Sequence, residues 1–212
     1  MKTVTSSIFK LLIAMLVFSA CSNGKDPEKY IGYWVENNND LTIPTEIKEQ
    51  AGKLYIIADN DGEKIEMPAT FDENGKSLHA KHLTPSGSLD VQAVYLDESK
   101  HLKITMANSS TEFSKLSETE AKERAKKVEA FYDPNFLVGK WMNLKATDAD
   151  PIEIRKDGDK YFLQTALNNT EIKYNKRAFV WSYLNSPSRI SRLKNGNLQW
   201  ELGALRTEYK RM

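Results

Sequence analysis

The stretch Asp133-Pro134-Asn135-Phe136-Leu137-Val138-Gly139-Lys140-Trp141 decides the fold, because the chain has already spelled it once as Asp26-Pro27-Glu28-Lys29-Tyr30-Ile31-Gly32-Tyr33-Trp34. Each member is displaced by 107 positions (133 minus 26). The same displacement carries Glu46-Ile47-Lys48 onto Glu153-Ile154-Arg155 and Lys53-Leu54-Tyr55-Ile56 onto Lys160-Tyr161-Phe162-Leu163. An 11-residue deletion then lowers it to 96, which sets Thr111-Glu112-Phe113 on Thr207-Glu208-Tyr209. The chain therefore holds two tandem copies of one unit.

Each copy reads as β-structure. In both, Ile47 and Ile154 alternate with charged neighbours in the same phase, which points the isoleucines inward and the charges outward. Asp61-Gly62, Asn74-Gly75, Asp157-Gly158 and Asn195-Gly196 separate runs rich in β-branched and aromatic residues, and Asx-Gly pairs tolerate the positive φ angles of tight hairpins. The first copy gives strand-like runs at 33–36, 45–50, 53–58, 64–71, 77–83, 89–96, 101–106 and 111–116. The second continues with 152–155, 160–167, 171–174, 178–184, 189–193, 197–202 and 206–212. The exception is 117–132, dominated by Ala, Glu, Lys and Arg, where Ser117 and Glu120 form a capping box and Ala121, Ala125, Val128 and Phe131 share a face.

The expected organisation is a leader over 1–20, a tether over 21–26, a first β repeat over 27–116, a linker helix over 117–132 and a second β repeat over 133–212. The fold class is all-β with one linker helix: two small antiparallel β-meander barrels or sandwiches in tandem. One continuous sheet, half from each copy, is the rival architecture. With 40% hydrophobic and 28% charged residues, each copy can bury only a modest core.

Lys2 and Lys10 precede an apolar run from Leu11 to Ala20, too short to span a bilayer core of ~30 Å but suited to a secretory leader. Val17-Phe18-Ser19-Ala20-Cys21 resembles the lipobox of bacterial lipoproteins, in which the leader is cut before a cysteine that is then lipidated. Cys21 is the single cysteine of the chain and has no disulfide partner. The resemblance implies a membrane partner through the lipid anchor. Ser22 after the cysteine implies the outer membrane, on its periplasmic side or at the cell surface. Ser22-Asn23-Gly24-Lys25-Asp26 is similar to the short tether of surface-exposed Bacteroidetes lipoproteins.

Gly32-Tyr33-Trp34 and Gly139-Lys140-Trp141 resemble the Gly-x-Trp opening strand of lipocalins and other calycin barrels. The resemblance implies that each glycine permits close backbone approach and that Trp34 and Trp141 plug the closed end of an up-and-down barrel. Each copy has 80 to 90 residues where a lipocalin has ~150, so side chains are expected to fill most of the interior.

The net charge of +1 is unevenly spread. Residues 21–116 carry 10 basic and 16 acidic side chains, residues 133–212 carry 14 and 9, so the halves differ in sign. Docking between complementary faces, or an anionic partner for the basic half, would each use that asymmetry. Phe179, Trp181 and Tyr183 fall on one strand face, with Arg177, Arg189 and Arg192 close in sequence, and they form the candidate ligand or partner surface. Burial in the core is the plainer reading of that stripe. Trp181 and Trp200 have no tryptophan counterpart in the first copy. Tyr55 and Phe162, shared between the copies, are read with the Gly-x-Trp residues as structural.

No catalytic signature is found: Gly-x-Ser-x-Gly, His-Glu-x-x-His, a P-loop and Cys-x-x-Cys are all missing. His79 and His82 point to opposite strand faces, which suits no metal, and the oxygens of Asn37 to Asp40 and of Asp148 to Asp150 read as solvated loops. The expectation is a non-enzymatic envelope protein without cofactor, metal or nucleic-acid partner. It binds a small apolar or glycan ligand or, alternatively, a protein, as an assembly accessory or immunity-type inhibitor does.

Overall fold

The structure is a computed structural model that describes residues 26–183 and 185–212. The leader, Cys21 and residues 22–25 of the tether lie outside the described residues. Two closed antiparallel barrels of eight strands follow one another along the chain, and the helix α2 (Glu118–Phe131) lies between them in sequence. The rival single sheet and the sandwich alternative are thereby set aside.

The first barrel is built from β1 (Gly32–Glu36), β2 (Thr45–Gln50), β3 (Lys53–Asn60), β4 (Glu63–Phe71), β5 (Ser77–Thr84), β6 (Gly87–Leu96), β7 (His101–Met106) and β8 (Ser109–Leu116). The strands pair in chain order and β8 returns to β1, with Trp34 opposite Lys115. A four-residue helix, α1 (Pro27–Tyr30), precedes β1 and lies at the end of the barrel from which β1 starts. We call this the closed end and the opposite end, reached at Glu36, the open end. Side chains alternate in phase with the pleat: Ile47 faces Ile56, Ala69 faces Ala80 and Leu102 faces Phe113 across neighbouring strands, all turned inward.

The second barrel repeats the plan with β9 (Gly139–Asn143), β10 (Ile152–Asp157), β11 (Lys160–Gln164), β12 (Asn169–Asn175), β13 (Ala178–Tyr183), β14 (Ser186–Arg192), β15 (Leu198–Leu202) and β16 (Leu205–Arg211). β16 closes on β9 through Arg211 opposite Trp141. A single 3-10 turn, Pro134–Leu137, stands where α1 stood, started by Asp133, whose carboxylate accepts from the Asn135 backbone N–H. The core is Leu137, Trp141, Ile152, Ile154, Leu163, Ile172, Phe179, Ile190, Leu198 and Tyr209.

Two strand boundaries lie three residues from those read in the sequence, and the others shift by less. The run expected to extend to Leu167 ends at Gln164, because Thr165 turns the chain: its N–H donates to the Asn168 carbonyl and its hydroxyl accepts from the Asn168 N–H. The strand expected from Arg189 begins at Ser186. The β12–β13 connection is made by Lys176-Arg177, both at positive φ (47° and 62°), a conformation uncommon for residues with side chains.

The capping box forms as read. Ser117 Oγ accepts from the Glu120 N–H at 3.2 Å, and the Glu120 carboxylate accepts from the Ser117 N–H at 2.8 Å. Ala121 and Val128 are buried. No described helix is long and apolar enough to cross a membrane.

Candidate functional site

Both closed ends are made the same way. Trp34 is fully buried and its indole N–H donates to the Tyr30 carbonyl at 2.7 Å; Trp141 is fully buried and donates to the Leu137 carbonyl at 2.9 Å. In each copy the acceptor lies four residues before the tryptophan, at the end of the short helical turn. The indole therefore ties that turn down as the floor of the barrel and leaves no unsatisfied donor.

A cation from the last strand crosses each tryptophan. Lys115 Nζ lies 5.3 Å from the centre of the Trp34 ring system and Arg211 Cζ lies 5.1 Å from that of Trp141. Arg211 also donates to the carbonyls of Phe136 (2.8 Å) and Val138 (2.6 Å). This explains the glycines. Gly32 and Gly139 sit at φ +136° and +138°, and a Cβ would fall 2.7 Å from Lys115 Cε in one copy and 3.3 Å from Arg211 Nη2 in the other. Gly32, Trp34, Gly139 and Trp141 are thus structural, with Lys115 and Arg211 as partners that the sequence reading missed. The displacement of 96 that aligns Thr111 with Thr207 also aligns Lys115 with Arg211.

The six residues of the candidate surface are not brought together. Phe179, Trp181 and Tyr183 do share one face, but that face is the inside of the barrel: Phe179 is fully buried between Tyr161 and Tyr174, at centroid distances of 4.8 and 5.3 Å. Arg177 lies in the β12–β13 turn at the closed end, its guanidinium 4.6 Å from the Tyr132 ring centre. Arg189 stands on the outer wall opposite Val180 and Glu201. Arg192 continues the inward phase of β14 to the closed end, where it donates to the Phe131 carbonyl at 2.8 Å and lies over the Phe136 ring at 3.2 Å. Burial, and then the neighbouring Arg211 guanidinium, lower the Arg192 pKa from its ordinary value.

Trp181 and Tyr183 lead along the inside of the second barrel to its open end, where a different constellation emerges. Trp181 is half-buried and meets Trp200 of β15 at 5.5 Å between centroids, the planes tilted by 53°. The strand between them, β14, contributes Ser188, directly opposite Trp181 on one side and Leu202 on the other. A small residue there lets the two indoles lean together across it. Ser188 is 3% exposed, and among the described residues neither its hydroxyl nor the buried indole N–H of Trp200 has a hydrogen-bond partner. Most buried polar groups are paired, and an unpaired one costs ~1 to 3 kcal/mol.

The inward phase continues from these residues toward the rim through Thr170, Tyr183, Ser186, Leu202 and Thr207, none of them charged. On the rim itself, Leu144 and Leu167 stand in two connections and Leu205 opens β16, and they are 39%, 86% and 67% exposed. The arrangement offers aromatic faces, one donor-only N–H and one hydroxyl in an uncharged surround with an apolar border. Such a surround suits non-covalent capture of an uncharged molecule. No group of three or more His, Cys, Asp or Glu side chains that could hold a metal ion is found among the described residues.

Compared with known proteins, the chain matches no family model, no curated protein and no solved structure.

Proposed function

We propose that the protein is a lipid-anchored, non-catalytic binding module of the bacterial cell envelope, and that its second barrel takes a small, largely apolar molecule at its open end. The observation that carries this reading is the pair of buried, unpartnered polar atoms, Ser188 Oγ and Trp200 Nε1, beside the Trp181–Trp200 contact. A ligand oxygen accepting from the indole N–H and meeting the hydroxyl would satisfy both while its apolar part lies on the indoles. The leucines of the rim give such a molecule an apolar approach. The anchor follows from Cys21 and the lipobox resemblance, since two or three acyl chains hold a protein firmly where one holds it marginally.

The test uses the uncharged fluorescent probe N-phenyl-1-naphthylamine with the detergent-solubilised protein. Binding is expected to enhance probe emission and quench tryptophan, and Trp181→Ala is expected to remove both effects. An equal response in that variant would refute the site. Growth on labelled palmitate, with Cys21→Ser as control, tests the anchor: label persisting in the variant would refute it.

The exposed rim leucines favour one second reading. Three large apolar side chains around one opening are also what a protein-interaction module, such as an envelope-assembly accessory or an immunity-type inhibitor, would present to its partner. Under that reading the triple change of Leu144, Leu167 and Leu205 to Ser abolishes partner capture and leaves probe binding intact.

A further inference from the structure

The outer wall of the second barrel carries a groove of about 370 Å3 lined by Arg155, Lys156, Asp157, Phe162 and Asn169. Its direction follows from the register. Ile154 faces Leu163 and both are buried inside, so Arg155 and its partner Phe162 point outward. Outward positions on these strands are otherwise polar: Glu153, Asp157, Gln164 and Glu171. Phe162 is a half-buried ring set into a polar wall. The first copy places Tyr55 opposite Lys48 at the same register, again facing outward, so an aromatic beside a cation on the wall is a device that both copies keep.

The polar groups around Phe162 have hydrogen-bonding capacity to spare. Arg155 donates through one Nη to Gln164 at 3.0 Å, which leaves its other N–H groups free among the described residues. Asp157 and Asn169 have no side-chain partner there either. Lys156 is turned away, donating to Asn135 at 3.1 Å with its ammonium 5.5 Å from the Tyr161 ring centre. The groove thus joins one apolar face to a guanidinium, a carboxylate and an amide, with the charges of Arg155 and Asp157 balanced.

That combination selects by chemistry. An anion would meet Asp157, a cation would meet Arg155, and a purely apolar molecule would strip water from all three polar groups without replacing it. A neutral sugar ring avoids each penalty: its C–H face lies on the phenyl ring while its hydroxyls, each both donor and acceptor, serve the fan of amide, carboxylate and guanidinium. The volume lies near the lower end of ligand sites, ~300 to 1,000 Å3, which suits one or two rings of a longer chain. We propose that this groove is a carbohydrate subsite for a neutral glycan, separate from the barrel interior. It rests on the reading of the protein as a binding module but not on the interior site.

Calorimetry of the detergent-solubilised protein with maltohexaose, cellohexaose and chitohexaose tests it. At least one of the three is expected to bind, with Phe162→Ala weakening it roughly tenfold or more and Asn169→Ala and Arg155→Gln weakening it less. Phe162 lies on the wall and outside the core, so unchanged melting of the variants is the control for folding. Trp181→Ala should leave glycan binding untouched while abolishing the naphthylamine response, which separates failure of this subsite from failure of the interior site. Absence of heat with all three sugars, or unaltered affinity in Phe162→Ala, overturns the proposal. Tighter binding of a sulfated oligosaccharide than of its neutral parent overturns the assignment to neutral glycans.

Discussion

The two barrels agree at their closed ends and part company inside. At the closed ends, indole, carbonyl, glycine and crossing cation recur, with Trp34–Tyr30–Gly32–Lys115 in one copy and Trp141–Leu137–Gly139–Arg211 in the other. Both floors carry further aromatic rings, Phe71 and Tyr95 in the first copy and Tyr161, Tyr174 and Phe179 in the second, but farther up the first barrel is lined by Ala69, Ala80, Val91, Ala93 and the ring of Phe113 whereas the second holds Trp181 and Trp200. Closing an eight-stranded sheet fixes strand tilt and stagger, and the floor must meet that geometry in every copy. The upper interior only has to be filled, so it is there that duplicates can diverge. The partnerless Ser188 and Trp200 Nε1 belong to the diverged part.

The strongest way to break this comparison is to remove a floor. Trp34→Ala and Trp141→Ala each empty a fully buried site and free a carbonyl, and each should cost its barrel ~3 to 5 kcal/mol by denaturant unfolding. Equivalence is the point: a floor whose loss cost less than ~1 kcal/mol in one copy would mean that the shared signature does different work in the two.

A smaller effect is expected from the glycines. Gly32→Ala and Gly139→Ala place a side chain at φ near +137°, a strain of ~1 to 3 kcal/mol wherever it occurs. The 2.7 Å approach to Lys115 in the first copy involves the flexible end of that side chain, which can move aside, so the two costs should match within ~1 kcal/mol in paired melting experiments. A much greater loss at Gly32 would show that the Lys115 position is rigid.

Much of this was legible in the sequence, because a displacement held over many residues constrains register and phase together. The inward turn of Ile47 and Ile154, the capping box at Ser117 and Glu120, and the shared face of Phe179, Trp181 and Tyr183 all follow from periodicity. The scattering of the arginines does not. Arg177, Arg189 and Arg192 lie within sixteen positions (192 minus 177, plus one), but a meander reverses direction between them and sends one to a turn, one to the outer wall and one to the closed end. Retention in both copies reads Tyr55 and Phe162 as structural. Their outward direction becomes plain once Ile47, Ile56, Ile154 and Leu163 are seen to claim the inside. The meeting of Trp181 with Trp200 depends on Ser188 being small on the strand between, a three-strand relation that no single-strand pattern encodes.

A change of opposite sign sharpens the comparison where the barrels differ. Ser188→Ala removes a buried hydroxyl that has no partner while keeping nearly the same volume, so the unliganded protein should gain ~1 kcal/mol, seen as a higher melting temperature. Binding of the naphthylamine probe should not improve with it. Destabilisation by the same substitution would mean that an internal water completes the Ser188 hydrogen bonds and that the open end is a hydrated core with no receptive site.

The smallest effect is silent at neutral pH and separates the closed ends by chemistry instead of shape. Tyr30 donates to the Lys76 carbonyl at 2.8 Å and accepts from the Tyr95 N–H at 3.3 Å, so its phenolate would keep one donor; burial raises its pKa and that N–H opposes the rise. Tyr174 donates to the Tyr132 carbonyl, which can only accept. Burial above all raises its pKa from 10.0 to about 12, with the Arg177 charge partly opposing the rise. A folded-state pKa above the unfolded value contributes stability that is fully present below pH 10 and is lost as pH climbs through about 12. Between those limits the second barrel should therefore weaken more steeply than the first. Tyr174→Phe, which cannot ionise, should flatten the difference when the variants are melted at pH 9, 10, 11 and 12, and absorbance at 295 nm should show one late-titrating tyrosine fewer. An alkaline slope unchanged by Tyr174→Phe would assign the loss to lysine deprotonation instead and leave the two closed ends chemically equivalent.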